Sequence, residues 1–392
     1  MEVKQIATII NGISTEILGE DAIQTEDLTN IVDVGTAIFN ASSVDNYVRS
    51  LMDHIGKMVF VDRVYSVGTP SVLMDGWEFG AVLEKVTMSE LPEATENESW
   101  ELTDGVSYDP NIFYQPKVEA KFFSKKVTFE IPMSFTERQV KGSFSNATQM
   151  NAFMSMIKTG IENSLSIKTD ALIMRTINNM IGETLYADYG ANDPGASSGI
   201  KAVNLLYKYN DEVAATPITA DKALTDPEFI RFAAREIGLV ATRLSRISTL
   251  FNIGGKERFT PKDRMHVIML NDFVKSADSY LQSDTYHDEY TRLPQAEVVP
   301  YWQGSGTAYS FEDVSKINIT TSSNHSVEVG GILGFIFDRD ALGVSNVDRR
   351  VTTNYNPKGE FFNEWHKFDA GYFNDFNENA VVFFIADAQA GD

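Results

Sequence analysis

Apolar residues recur at helical spacing over one unusually long stretch of the chain. Met150, Phe153, Met154, Ile157, Ile161 and Leu165 lie three or four residues apart, and the pattern resumes at Leu172, Ile173, Ile177, Met180 and Ile181. Asn146, with Gln149 three residues on, reads as a capping-box-like start. The spacing predicts a helix from Ala147 to Leu185, which at about 1.5 Å per residue would be roughly 58 Å long if continuous. Polar Ser166, Lys168 and Asp170 in the middle allow a bend. A rod of that length exceeds the diameter of a small domain and implies an elongated molecule.

Upstream the period changes. Val118, Ala120 and Phe122 alternate with Lys117, Glu119 and Lys121, and Val127, Phe129, Ile131, Met133 and Phe135 alternate with polar or turn residues. Period-two patterning of this kind marks strands with one wet face. Before them, apolar residues are scattered among acids from Met1 to about Leu28, like an arm, and Ala37 to Ile55 reads as a helix. Val59 to Leu91 carries β-type runs broken by Gly68, Pro70, Gly76 and Gly80, and the acidic, weakly patterned stretch Glu93 to Asp109 reads as a long extended loop.

Downstream of a Gly- and Pro-containing loop, Tyr189 to Gly199, helix and strand alternate. Helices are expected at Asp226 to Ser248 and Asp272 to Leu281, and strands at Met265 to Leu270, Val298 to Trp302, Ile317 to Thr320 and Ile332 to Phe337. They form a second, compact α+β unit. Long strands return at Val347 to Tyr355 and Phe361 to Tyr372, with Val381 to Ile385 as a buried strand. The first two flank Asn356-Pro357-Lys358-Gly359, where Pro second and Gly fourth suit a type I turn closing a hairpin.

Composition narrows the function. Hydrophobic residues make up 43% of the 392 residues, so an ordered fold with a sizeable core is expected. The net charge of -22 argues against a chain built to grip polyanions. Cysteine is absent, which excludes disulfides and thiolate metal sites. The N-terminus lacks a signal pattern and no apolar run is long enough to span a membrane, so folding in a reducing cytoplasm fits.

Candidate chemistry is sparse. His54, His266, His287, His325 and His366 are scattered without zinc-site spacing, and the carboxylates around His287 in Asp284 to Glu289 read as a solvated turn. Gly190 and Gly195 have phosphate-loop spacing, but Ala196, ahead of Ser197, stands where the phosphate-binding Lys is needed. Gly330-Gly331 and Gly334 lie at and in a strand, without the glycine turn and helix of a dinucleotide site, and read as a tight strand entry. No catalytic, cofactor or metal residue is assigned. Met150, Met154 and Met180 read as packing of the long helix.

In this order the elements resemble the Hong Kong 97 fold of tailed-phage major capsid proteins, and within it the chain is most similar to the phi-29-like podophage capsid proteins. The likeness is carried by Ser43 to Gly56, by the strand-to-helix block Tyr114 to Leu185, and by the terminal hairpin through Asn379 to Ile385. It implies an α+β fold with an N-terminal arm and helix (1–58), an extended loop (59–116), peripheral-domain strands and a spine helix (117–187), an axial domain (188–345) and return strands of the peripheral domain (346–392). An additional C-terminal immunoglobulin-like domain, found in some members, is expected to be missing.

The resemblance further implies a structural subunit that forms pentamers and hexamers of an icosahedral or prolate head around double-stranded DNA. It implies scaffolding and portal proteins as assembly partners, the virion as its location, assembly in the host cytoplasm, no cofactor and no membrane. Lys125 and Lys126, at the return of the extended loop, are candidates for contact with an acidic patch on a neighbour; a crosslink, as some members of the superfamily make, or a solvated strand edge are the other readings. Pro357, Lys358 and Gly359 at the hairpin tip are further candidate intersubunit contacts. The competing functions are an encapsulin-like compartment for cargo enzymes, an acidic soluble enzyme, and a tail or baseplate protein.

Overall fold

The computed structural model describes residues 70–74, 83–88, 91–94, 96, 101–136, 147–190, 192–282, 293–303 and 310–388. The expected arm, the helix at 37–55, the Asn146 cap and the 284–289 cluster lie outside them. Six helices and thirteen strands are named below. The helices are α1 (Ala147–Tyr189), α2 (Leu205–Glu212), α3 (Ala220–Ala223), α4 (Pro227–Arg243), α5 (Asn271–Gln282) and α6 (Phe311–Val314). The strands are β1 (Leu73–Met74), β2 (Leu83–Met88), β3 (Val118–Phe123), β4 (Lys126–Thr136), β5 (Ala202–Asn204), β6 (Met265–Leu270), β7 (Glu297–Val299), β8 (Ile317–Thr320), β9 (Ser326–Val329), β10 (Ile332–Asp338), β11 (Leu342–Asn356), β12 (Phe361–Asn374) and β13 (Ala380–Phe384).

Helix α1 is continuous for 43 residues, about 64 Å at 1.5 Å per residue, and passes through Ser166, Lys168 and Asp170 without interruption. It runs four residues beyond the expected end at Leu185, where Gly190 adopts a left-handed conformation (φ 59°) and its N–H donates to the Tyr186 carbonyl.

The chain divides into two compact bodies. One comprises Met1–Tyr65, Phe129–Ile167 and Arg349–Phe368. Its described part is the outer length of β4, the first half of α1, and the ends of β11 and β12 that meet at a hairpin. Phe129 stacks on Phe368 at 6.4 Å, Ser134 donates to Asn363 at 2.6 Å, and Arg349 grips both Glu162 oxygens at 2.6 and 3.1 Å. The hairpin turn carries one feature beyond the expected Asn356 to Gly359 turn. Asn356 Oδ1 accepts the N–H groups of Lys358 and Gly359, as a turn-initiating Asn does, but the left-handed residue is Glu360 (φ 50°) and not Gly359. The loop is therefore one residue longer than a four-residue type I turn, and a non-glycine residue carries the strained position.

The other body, Ser66–Thr128, Lys168–Asp348 and Asp369–Asp392, holds a five-stranded sheet in the order β5-β13-β10-β6-β7. Because strand side chains alternate, the sheet presents two apolar faces. Val381 and Phe383 of β13 and Val267 and Met269 of β6 join the core formed by α2, α4 and α5, including Phe229, Phe232, Ile237 and Phe273. On the opposite side Phe384 meets Tyr189 of α1 edge-on at 5.8 Å, and Trp302, wholly buried, donates its indole N–H to the Ile332 carbonyl and accepts on its own carbonyl from Asn178. The β8–β9 hairpin is tied to the same helix: Asn179 accepts from the Ser322 N–H, and Glu183 accepts from the Ser323 N–H and contacts His325 Nδ1 at 3.1 Å. Gly331 is the expected tight strand entry, left-handed at φ 71° and so close to the Ile385 carbonyl that a Cβ would collide with it.

Sequence patterning missed β5 and α2, which together span only eleven residues, too few to establish a period, and the short β9. Buried Asn204 decides the first two. It closes β5, accepts from the N–H groups of Leu206 and Tyr207 as the N-cap of α2, and donates to the carbonyls of Pro194 and Ala386. N204A should therefore remove a cap and leave two part-buried carbonyls without their donor, costing about 1 to 3 kcal/mol and lowering the midpoint of thermal unfolding followed by circular dichroism; a melt like that of the wild type would contradict this role.

Candidate assembly surface

Strands β2 and β3 form a two-stranded antiparallel ribbon with Glu84 opposite Phe122, Val86 opposite Ala120 and Met88 opposite Val118. Directly opposed residues share a face. One face is thus Glu84, Val86, Met88, Val118, Ala120 and Phe122, and every one of these is exposed. The other face is Lys85, Thr87, Glu119 and Lys121 with Leu83 and Phe123, and it is the partly buried one. The ribbon has the alternation expected of it, but its wet face is the apolar one.

Ion pairs explain the inversion. Lys85 Nζ lies 2.7 Å from Asp375 Oδ2 and 2.7 Å from Glu378 Oε1, and donates to the Asp340 carbonyl at 3.2 Å. Lys121 Nζ takes the other Asp375 oxygen at 2.8 Å. Arg258 donates to the Met88 carbonyl and Thr87 hydroxyl and lies 3.6 Å from Glu378, while Lys256 pairs with Glu119 at 3.2 Å. Phe123 packs against Phe373 at 5.0 Å. The carboxylates come from the turn between β12 and β13, where Asp375 also caps its own loop by accepting from the Asn377 N–H. Burial opposes the charge on Asp375, but hydrogen bonds from Lys121 and Lys85 outweigh it and hold the carboxyl below the usual aspartate range. Burial likewise opposes the Lys85 charge, and hydrogen bonds to Asp375 and Glu378 raise it above the usual lysine range.

The apolar exposure continues past the ribbon. Residues 101–117 have no regular structure and are exposed throughout, with Phe113 84% and Tyr114 80% accessible, and Leu102, Val106, Tyr108 and Ile112 open as well. Single exposed apolar side chains are ordinary, but here six lie exposed along one irregular segment. From Val86 to Pro116 the sequence contains no Lys or Arg and seven acids, Glu90, Glu93, Glu96, Glu98, Glu101, Asp104 and Asp109.

Of the residues singled out in the sequence, Lys125 and Lys126 stand side by side at the β3–β4 junction, both exposed, and the Lys125 carbonyl accepts from the Tyr372 N–H. Pro357, Lys358 and Gly359 share the exposed β11–β12 turn. The anchoring set Lys85, Lys121, Arg258, Asp375 and Glu378 was not foreseen, because its members lie up to 293 residues apart. The one available signal was the lysine pair on the alternating strands. His325 stacks on Tyr186 at 3.6 Å and His266 on Phe337 at 5.3 Å, so aromatic neighbours engage both rings. Among the described residues no three His, Asp or Glu side chains gather as a metal site would require.

The fold is that of a phage capsid subunit of the Hong Kong 97 type. It is similar to the capsid structure of Staphylococcus phage Andhra, with a TM-score of 0.51 at 7% identity over 84% of this chain and 87% of that one. Similarity extends to a structure of the head fiber and inner core protein gp22 of bacteriophage P68 (TM-score 0.48, 11% identity, 84% and 87% covered) and to the capsid of cyanophage P-SCSP1u (TM-score 0.44, 10% identity, 86% and 95% covered). Comparison with curated proteins yielded no match. The chain belongs to the Phi29-like phage major capsid protein family, whose sequence model matches residues 6–384.

The ribbon anchor generates a pH prediction. The contribution of Asp375, whose folded value is lowered, is present above the unfolded value near pH 3.9 and is lost as pH falls through the folded one. That of Lys85, raised when folded, is present below about pH 10.4 and is lost as pH rises through its folded value. Protection factors of residues 83–88 and 118–123, which remove the intrinsic pH dependence of amide exchange, should therefore stay constant from about pH 5 to 10 and fall on acidification below about pH 4. D375N, which leaves Lys121 without its carboxylate, should lower protection at neutral pH, consistent with a loss of about 3 kcal/mol, and remove the fall on acidification.

Proposed function

We propose that this major capsid protein closes into pentamers and hexamers of an icosahedral or prolate head that encloses double-stranded DNA, residues 59–116 forming an extended loop that lies over a neighbouring copy. The single observation carrying this reading is the ribbon with its apolar face outward. Val86, Met88, Val118 and Phe122 gain nothing from water and have no partner within the described chain, whereas burial of such side chains is worth about 1.5 to 3 kcal/mol each when complete. A neighbour's surface supplies that burial, and the contact recurs around a closed ring so that modest interfaces act together.

Within this reading residues 1–58 are an N-terminal arm and helix, 117–187 hold peripheral strands and the spine helix, 188–345 form the axial domain and 346–392 return to the peripheral domain. Lys125, Lys126 and the tip Pro357-Lys358-Gly359 are contact points between copies, all of them exposed in the single chain. The net charge of -22 suits a wall that holds DNA by enclosure. Scaffolding and portal proteins are the assembly partners, and the shell forms in the host cytoplasm before residing in the virion.

Co-expression with the neighbouring scaffold gene, followed by electron microscopy, should yield closed shells. V86D/F122D should fold with an unchanged circular dichroism spectrum yet remain unassembled, since each contact would lose on the order of 3 kcal/mol or about 100-fold in affinity. Wild-type-like shells from this variant would remove the ribbon from the interface.

A further inference from the structure

The outward face of α4 bears a concentration of arginine that the ribbon does not use. Arg231, Arg235, Leu239 and Thr242 fall at helical spacing on one exposed face, and Arg243 and Arg246 extend it at the C-terminal end. Between Phe229 and Leu250 the only acid is Glu236, which is buried and engaged by Lys208 at 2.5 Å and Arg235 at 3.1 Å. In a chain of net charge -22 this is a marked local reversal. Exposed apolar residues lie among the arginines: Leu239, then Ile247, Leu250 and Phe259 on the segment paired at Ser248 and Arg258.

We infer that the outer face of α4, with the segment that follows it to Phe259, is a docking surface for the carboxylates of a second copy of this chain. The inference rests on the assembly reading and adds the electrostatic device that assembly needs. Copies that each carry 22 excess negative charges repel, and side-by-side packing is favoured only where a basic minority patch meets the acidic majority surface. The seven acids and no bases between Val86 and Pro116, interleaved with Leu102, Val106 and Tyr108, display the complementary chemistry. Nucleic acid fits less well, because a phosphate backbone makes no use of Leu239, Ile247, Leu250 and Phe259, whereas arginine among apolar side chains is typical of protein interfaces. All four cations between Phe229 and Leu250 are arginine, the side chain whose planar fork grips a carboxylate with two hydrogen bonds.

The test uses R243E/R246E in the full chain, since neither arginine forms an ion pair among the described residues, with R243K/R246K as the charge-retaining control. Both should melt like the wild type. The wild type and the lysine variant should form shells by sedimentation and electron microscopy, while the glutamate variant should require at least tenfold more protein or fail. Should the wild type form no shells, the assembly reading suffers, and sedimentation equilibrium at low salt still decides this inference, with self-association expected to fall at least tenfold in the glutamate variant alone. Shell formation or self-association by R243E/R246E at wild-type concentration overturns it. So does a result in which that variant assembles normally but loses affinity for a duplex DNA probe, which would make the patch a phosphate-binding one.

Discussion

The arrangement of the ribbon depends on two buried carboxylates. Asp375 and Glu378 draw Lys85, Lys121 and Arg258 inward, and the strand alternation then leaves Val86, Met88, Val118 and Phe122 no direction but outward. Hydrophobicity alone would turn these strands over. Desolvating three cations beside two anions is costly, and the network is tolerable because both Asp375 oxygens, Glu378 Oε1 and both ammonium groups are answered by an opposite charge or a carbonyl at close range. An apolar face is thereby turned outward among the described residues of the single chain.

The rest of that body serves to fix the turn from which Asp375 and Glu378 project. The turn is flanked by β12 and by β13, a strand whose every residue is buried, and the Gly254 N–H donates to the Phe376 carbonyl within it. Trp302, Asn178 and the polar ladder along α1 hold the β8–β9 hairpin and the sheet to one helix. Rigid packing on both sheet faces is what allows a charge network at the turn to have defined geometry.

Legibility from sequence followed the range of the interactions involved. Strong local periods were read closely: α1 from its apolar spacing, β3, β4, β6 and β8 from alternation or short apolar runs, and the β11–β12 hairpin from Asn356-Pro357. The left-handed residue that follows the turn, Glu360, was not legible, since nothing in the local sequence marks it. Elements defined by a single buried polar residue, such as β5 and α2 around Asn204, left no periodic trace. The orientation of the ribbon was illegible for a different reason. Alternation says that a strand has two faces, and only the carboxylates more than 250 residues away decide which of them meets water.

Strand β4 stands at the end of the order β1-β11-β12-β4, so one side of an eleven-residue strand is unpaired among the described strands. Its sequence places Pro132, which has no N–H, in the middle, with Lys126 and Glu130 before it. A foreign strand laid along this edge would find the hydrogen-bond ladder broken halfway and charges beside it. The described edge is thus unsuited to open-ended strand addition from one copy to the next.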